Sequence, residues 1–189
     1  MTSTATPGAA SSAVALPSPE AVLQERFASI LRTQMDGVPL VNPALRVQAL
    51  GFRPWAEHWL GVLVTPWFMN LVLFPRVAEH WHVIGERESR HYVFPAGVFE
   101  FIGSRDAVLG DYQACSLFSP MFEFADDAAA HATAVAALAA LFDAANRPAS
   151  ELPPAQPAQP AQVPEIPPGP APALSKRDFL FGSKPRAGG

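Results

Sequence analysis

Residues 60–74 read LGVLVTPWFMNLVLF, and the conformation of this run decides the architecture. Thr65-Pro66 divides it in two, because proline has no N–H to give to a continuing ladder. Each half is rich in branched and aromatic residues, which suit strands. In an extended Trp67–Phe74, the side chains of Trp67, Met69, Leu71 and Leu73 share one face. Phe68, Asn70, Val72 and Phe74 share the other. Both faces are apolar except at Asn70. Either this is a central strand buried on both sides, or its second face receives loops, another chain or a ligand peptide. A membrane span needs about 20 uninterrupted apolar residues. This run is shorter and broken, so it is not one.

Working outward, Ser18-Pro19-Glu20 predicts a helix start, with serine as cap and proline at the first helical position. Leu23, Phe27, Ile30 and Leu31 recur at helical spacing, and Asp36-Gly37 ends the element. Leu45–Ala49 alternates as a half-buried strand. Glu57–Val64, Trp67–Phe74, Arg87–Phe94, Val98–Ile102 and Tyr112–Phe118 complete the strand set. Turn signals lie at Pro95-Ala96-Gly97, Gly103-Ser104 and Gly110-Asp111. Asp126 or Asp127 then caps an alanine-rich helix to about Asn146, with Val135, Leu138, Leu141 and Phe142 as its apolar face. Segregated elements predict an α+β fold. It is an antiparallel sheet of about six strands flanked by an N-terminal and a C-terminal helix, a two-layer sandwich with both helices on one face.

The periodicity confines this domain to residues 18–147. Residues 1–17 read as a disordered Ala/Ser/Thr-rich leader without the basic start and apolar core of a secretory signal. Residues 148–174 shift to Pro, Ala and Gln, a composition that favours a semi-rigid extended spacer. Residues 175–189 form a short tail.

Composition narrows the function. The 189 residues are 49% apolar and 16% charged, with a net charge of -4. No basic field is present to hold a phosphate backbone, so nucleic acid is not an expected partner. The one cysteine, Cys115, can form neither an internal disulfide nor a CxxC site, which suits a reducing, cytoplasmic compartment. His80, His82 and His91 could in principle approach one another, but no carboxylate or cysteine stands at a ligand spacing beside them. Cys115 lies mid-strand among apolar neighbours, and neither Ser116 nor Ser119 sits in a nucleophile elbow. Glu100 in VFEFI reads as the outward residue of an alternating strand. We therefore expect no enzyme activity, no metal and no cofactor.

A second aromatic cluster, Ser116–Phe124 (SLFSPMFEF), is too irregular for a plain strand. Methionine and large aromatics together suit an adaptable peptide-binding surface. The candidate residues of such a binding surface are Trp67, Phe68, Met69, Asn70, Phe118, Met121, Phe122 and Glu123.

Gly37–Pro43 (GVPLVNP), residues 60–73 (LGVLVTPWFMNLVL), 94–101 (FPAGVFEF) and 116–124 resemble, in order, the [NiFe]-hydrogenase assembly chaperone family of the HybE/HupJ/HoxT type. The resemblance covers roughly residues 25–143. Some relatives add a rubredoxin module with paired CxxC motifs; one cysteine cannot build it. The resemblance implies an accessory protein for hydrogenase maturation. Its implied partner is the precursor of the small, iron–sulfur subunit, with the large subunit and other maturation proteins as further candidates. That precursor carries a twin-arginine export signal, and the implied role is to hold it until its cofactors are in place. A scaffold bridging maturation factors is the alternative role, and a metal- or thiol-dependent enzyme a further, weaker one.

In that light the tail gains meaning. Ser175, Lys176, Arg177, Phe179 and Leu180 resemble the twin-arginine pattern Ser-Arg-Arg-x-Phe-Leu, with lysine at the first basic position. This end of the sequence has no following apolar segment, so the motif cannot act as an export signal. It reads as a tethered pseudo-ligand, with Glu100, Glu123, Asp126 and Asp127 as candidate partners for an arginine pair.

Overall fold

The computed structural model describes residues 15–148. The spacer beyond Pro148, the tail motif and most of the leader lie outside the described residues. Helix α1 (Glu20–Gln34) precedes strands β1 (Gln48–Trp55), β2 (His58–Val64), β3 (Met69–Pro75), β4 (Ser89–Phe94), β5 (Gly97–Asp106) and β6 (Gly110–Phe118), and helix α2 (Asp127–Ala140) follows. The strands form one six-stranded sheet in the order β1-β2-β3-β6-β5-β4, and every pairing is antiparallel. The α+β class with flanking helices is therefore the observed one.

The two helices do not share a face, contrary to the sequence expectation. Leu60, Val62 and Val64 of β2, with Met69, Leu71 and Leu73 of β3, pack with Ala130, Ala134, Leu138 and Leu141 beneath α2. Leu63, Val72 and Phe74 point the other way and pack with Leu23 and Phe27 of α1. The physical reason is the one visible in the opening run. Both faces of these strands are apolar, so each face needs its own cover. β3 is the doubly buried strand of the two alternatives.

The sheet is strongly coiled. β1 and β4 are its two edges, yet Trp55 of β1 stacks on Phe94 of β4 with ring centroids 4.2 Å apart. The larger core cluster, including Phe94, Phe101, Met121 and Phe124, fills this concave side. The end of α2 helps to close it, where the Arg53 guanidinium lies 3.9 Å above the Phe142 ring.

Three local expectations are corrected. β1 begins at Gln48 and runs to Trp55, whereas alternation predicted Leu45–Ala49. Its register slips between Leu50 and Arg53, and Gly51 has a positive φ of 64°. A bulge there breaks the period of two that alternation relies on. Ser18 does not cap α1; Pro19 holds the cap position, and the Ser18 hydroxyl is buried without a partner among the described residues. Val135 is 52% exposed. The buried stripe of α2 is instead Ala130, Ala134, Ala137 and Leu138. Small alanines let the helix approach the sheet closely, so they replace larger residues as the contact face. The helix ends at Ala140, and a single 3-10 turn at Ala144–Asn146 follows it.

Candidate functional site

The two aromatic motifs, 51 residues apart in their first members Thr65 and Ser116, lie side by side. β3 and β6 are neighbours, with Asn70 opposite Ser116 and Met69 opposite Phe118. The register slips between these two pairs, so Leu117 is an extra residue and β6 bulges. Bulges re-aim side chains. Here the slip turns Phe118 into the concave core, while Ser116 stays exposed.

The turn before β3 is built by Thr65. Its backbone N–H and its hydroxyl both donate to the Phe68 carbonyl, at 2.8 and 3.0 Å. The same hydroxyl oxygen accepts the Phe68 N–H at 2.9 Å. This compact turn sends Trp67 inward onto the α1 side, 9% exposed. Phe68 is left half-buried, edge-on to Phe27 at 5.8 Å. The Ser116–Phe124 loop is tied down by Asn42. Its side-chain amide N–H groups donate to the carbonyls of Met121 (3.0 Å) and Phe124 (2.8 Å). Ser119 donates to the Trp67 carbonyl at 3.4 Å, and the Ser119–Pro120 peptide bond is cis. With Met121 and Phe124 held inward, the residues between them face solvent. Phe122 is 57% exposed and Glu123 is exposed.

The sequence candidates thus separate. Met69, Met121, Phe118 and Trp67 are buried in the two cores. Phe68 and Asn70 are half-buried at the surface, and Phe122 and Glu123 project from it. The Asn70 side-chain Oδ1, like the Ser18 hydroxyl, is buried with no hydrogen-bond partner among the described residues. An unsatisfied buried acceptor costs about 1–3 kcal/mol.

Three apolar side chains absent from the sequence candidates extend this surface. Val93, Val98 and Ile102 are 70%, 47% and 46% exposed. Val93 pairs with Val98, His91 with Glu100 and Ser89 with Ile102, which puts all six on one side of the β4–β5 ribbon. Ile102 lies opposite Ala114, which packs in the α1-side core. They therefore continue the α1-bearing face of the sheet. The signal was present in VFEFI, where valine and isoleucine occupy the positions opposite to the phenylalanines.

Of the carboxylates, Asp126 and Asp127 serve the fold. The Asp126 side chain accepts the Ala129 N–H and caps α2 (2.8 Å), and Asp127 pairs with Arg46. Glu100 and Glu123 remain exposed on the surface. Arg26 of α1 forms a forked contact with Asp106 at the end of β5, its Nε and terminal nitrogen donating at 3.0 and 2.8 Å. The bond from Arg26 holds the Asp106 carboxyl below the usual range.

The opposite end of the sheet carries His58 and His80. His58 lies among Trp55, Trp81 and Tyr92, with ring centroids 5.3–6.2 Å away. Burial and the nearby Arg90 charge push its imidazole below the ordinary value. His80 pairs with Glu57 at 2.8 Å. Among the described residues no group of three metal-ligating side chains converges, and no helix is long and apolar enough to cross a membrane. Cys115 is 1% exposed within the concave core.

The chain resembles known proteins along most of its length. The family described as "[NiFe]-hydrogenase assembly, chaperone, HybE" matches residues 18–182. "Protein HoxT" of Cupriavidus necator is 40% identical over 178 residues, which is 86% of this chain and 87% of that one. "Probable rubredoxin HupJ" of Rhodobacter capsulatus is 42% identical over 64% of this chain, which spans 44% of that longer protein. The solution structure of HybE from Escherichia coli superposes with a TM-score of 0.53 at 23% identity, covering 79% of this chain and 87% of that one. The fold is thus shared with HybE, and the chain belongs to the [NiFe]-hydrogenase assembly chaperone family, HybE type.

Proposed function

We propose that this protein is a cytoplasmic, non-enzymatic chaperone that binds the precursor of the hydrogenase small subunit, including its twin-arginine signal, before export. One observation carries the reading. The two aromatic motifs meet at one end of the sheet and leave there an exposed aromatic, Phe122, and an unpartnered buried acceptor, Asn70 Oδ1. A client segment supplies both an apolar side chain for Phe122 and an N–H or guanidinium donor for Asn70. Glu100 on β5 and Glu123 beside Phe122 are exposed carboxylates of the kind an arginine pair seeks.

The energetics fit a releasable complex. A client covering about 400 Å² of apolar surface gains roughly 10 kcal/mol at 25 cal/mol per Å². Association and ordering costs remove much of this. Micromolar binding is the result, tight enough to hold a precursor and weak enough to let it go.

The test is titration calorimetry of the full chain with the small-subunit precursor, with the same subunit lacking its signal, and with the signal peptide alone. Binding that requires the signal and weakens at least tenfold in Phe122→Asp supports the reading. Equal binding with and without the signal replaces it with a scaffold that recognises the folded subunit. Binding unaffected by Phe122→Asp moves the client site elsewhere.

A further inference from the structure

We propose that residues 175–181 of this chain dock in extended form on its own sheet, along β5 where β5 parts from β6, and thereby cover the exposed Val93, Val98 and Ile102. The β5–β6 register runs from Asp106 opposite Gly110 to Ile102 opposite Ala114. Past that point β5 follows β4 to Gly97, while β6 follows β3 to Phe118. The coiling that brings Phe94 onto Trp55 draws β4 and the start of β5 away from β6. This divergence of the two strands forms a wedge, with Glu100 of β5 on one side and, on the other, Ser116 of β6 opposite Asn70 of β3.

The chain leaves the described fold at the mouth of this wedge. Arg147 donates from Nε to the Pro95 carbonyl (3.2 Å) and from a terminal nitrogen to the Phe94 carbonyl (3.5 Å). Pro95 lies in the turn that leads directly into β5. From there the proline-rich residues 148–174 intervene before the tail. Even as a flexible coil such a segment spans about 30 Å, and extended it reaches about 80 Å. The wedge begins at its root, so the tether does not limit docking, and its effective concentration is on the order of millimolar.

The tail has the matching chemistry. In an extended segment, Arg177, Phe179 and Phe181 project to one side and Asp178 and Leu180 to the other. An alternating apolar segment suits the exposed valines and isoleucine, and Lys176 and Arg177 suit Glu100 and Glu123. Such strand addition is a common mode of peptide recognition. The family match independently runs to residue 182, one position past Phe181 and well beyond the last described residue. The family match therefore spans the tail motif as well as the sheet. Because the wedge adjoins Asn70, which pairs with Ser116, a docked tail competes with a client there; only this competitive role rests on the proposed function, and the docking stands apart from it.

The experiment is hydrogen exchange on the full chain, on the chain lacking residues 175–189, and on the full-length Phe179→Ala/Phe181→Ala variant. The last guards against a truncation that fails to fold. Docking predicts at least tenfold faster exchange in 97–101 and 115–118 in both altered chains, restored by a synthetic 175–189 peptide in the truncated one. Unchanged exchange overturns the proposal. Protection that falls on dilution of the full chain overturns it in favour of the tail of a second copy. Signal-peptide affinity of the same three proteins then separates the two readings. Tighter binding without the tail supports competition. Tail-dependent protection with unchanged affinity keeps the docking and places the client elsewhere.

Discussion

Asn70→Leu separates folding from function at a single position. In the wild-type chain the Asn70 Oδ1 is buried without a partner, on a strand paired to Leu63 on one side and Ser116 on the other. Leucine has nearly the same shape and carries no acceptor. Removing an unsatisfied acceptor recovers about 1–3 kcal/mol. The added apolar burial contributes about a further 1 kcal/mol, since the site is only half-buried. Some of this is offset by imperfect repacking, costing about 1–2 kcal/mol. The net expectation is a gain of about 1–2 kcal/mol, or roughly 4–8 °C in Tm for a domain of this size. Urea unfolding followed by the fluorescence of Trp55, Trp59, Trp67 and Trp81 measures it, and an unchanged m-value shows that the transition is the same one. Calorimetric titration with the signal peptide should show at least tenfold weaker binding, because the client's donor loses its acceptor. A variant destabilised by more than about 1 kcal/mol would mean that Oδ1 is bonded in the native state. A more stable variant with unchanged affinity would refute the role assigned to Asn70.

Other perturbations test the layout. Met69→Ala empties a side chain with no exposed surface and should cost about 2–5 kcal/mol by urea unfolding; a cost below about 1 kcal/mol would return Met69 to the client surface. Gly61→Ala places a Cβ 2.4 Å from the Phe52 ring, so it should destabilise by about 1–3 kcal/mol as that ring is displaced from the α1-side core. Asn42→Ala leaves the Met121 and Phe124 carbonyls without their donor; expect a loss of about 2–4 kcal/mol, with faster proteolysis within Ser116–Phe124. Asp106→Asn tests the tie between α1 and β5. The Arg26 bond lowers the Asp106 pKa in the folded state. Its stabilisation is therefore complete above the unfolded value of about 4 and is lost as the pH falls through the folded one. The variant should be less stable than wild type at neutral pH and converge with it in acid, as measured by urea unfolding across pH.

Residues 60–74 by themselves determined that two adjacent strands exist and that β3 is apolar on both faces, because a period of two with few polar positions admits little else. The flanking patterns likewise gave the six strands, the two helices and their order. The motifs around VTPWFMNL and SLFSPMFEF were enough to indicate the family. Which face each helix covers was not legible, since a doubly apolar strand is equally ready to receive a helix on either side. Alternation could not locate the end of β1, because Gly51 permits a bulge that shifts the period. It also misassigned the contact stripe of α2, where close approach favours alanine over the larger Val135. The candidate site suffered from the same blindness. Trp67, Met69, Phe118 and Met121 have the composition of a binding surface, yet the Thr65 turn and the clasp of Asn42 fold them inward. Side-chain chemistry is written residue by residue. Whether it faces a partner or the core depends on bulges, turns and sheet coiling, which arise from contacts between residues far apart in the chain. The tertiary structure left Phe122 exposed, buried the Asn70 acceptor without a partner, and ended the β5–β6 pairing at Ile102 and Ala114, and none of these outcomes is written in the local sequence.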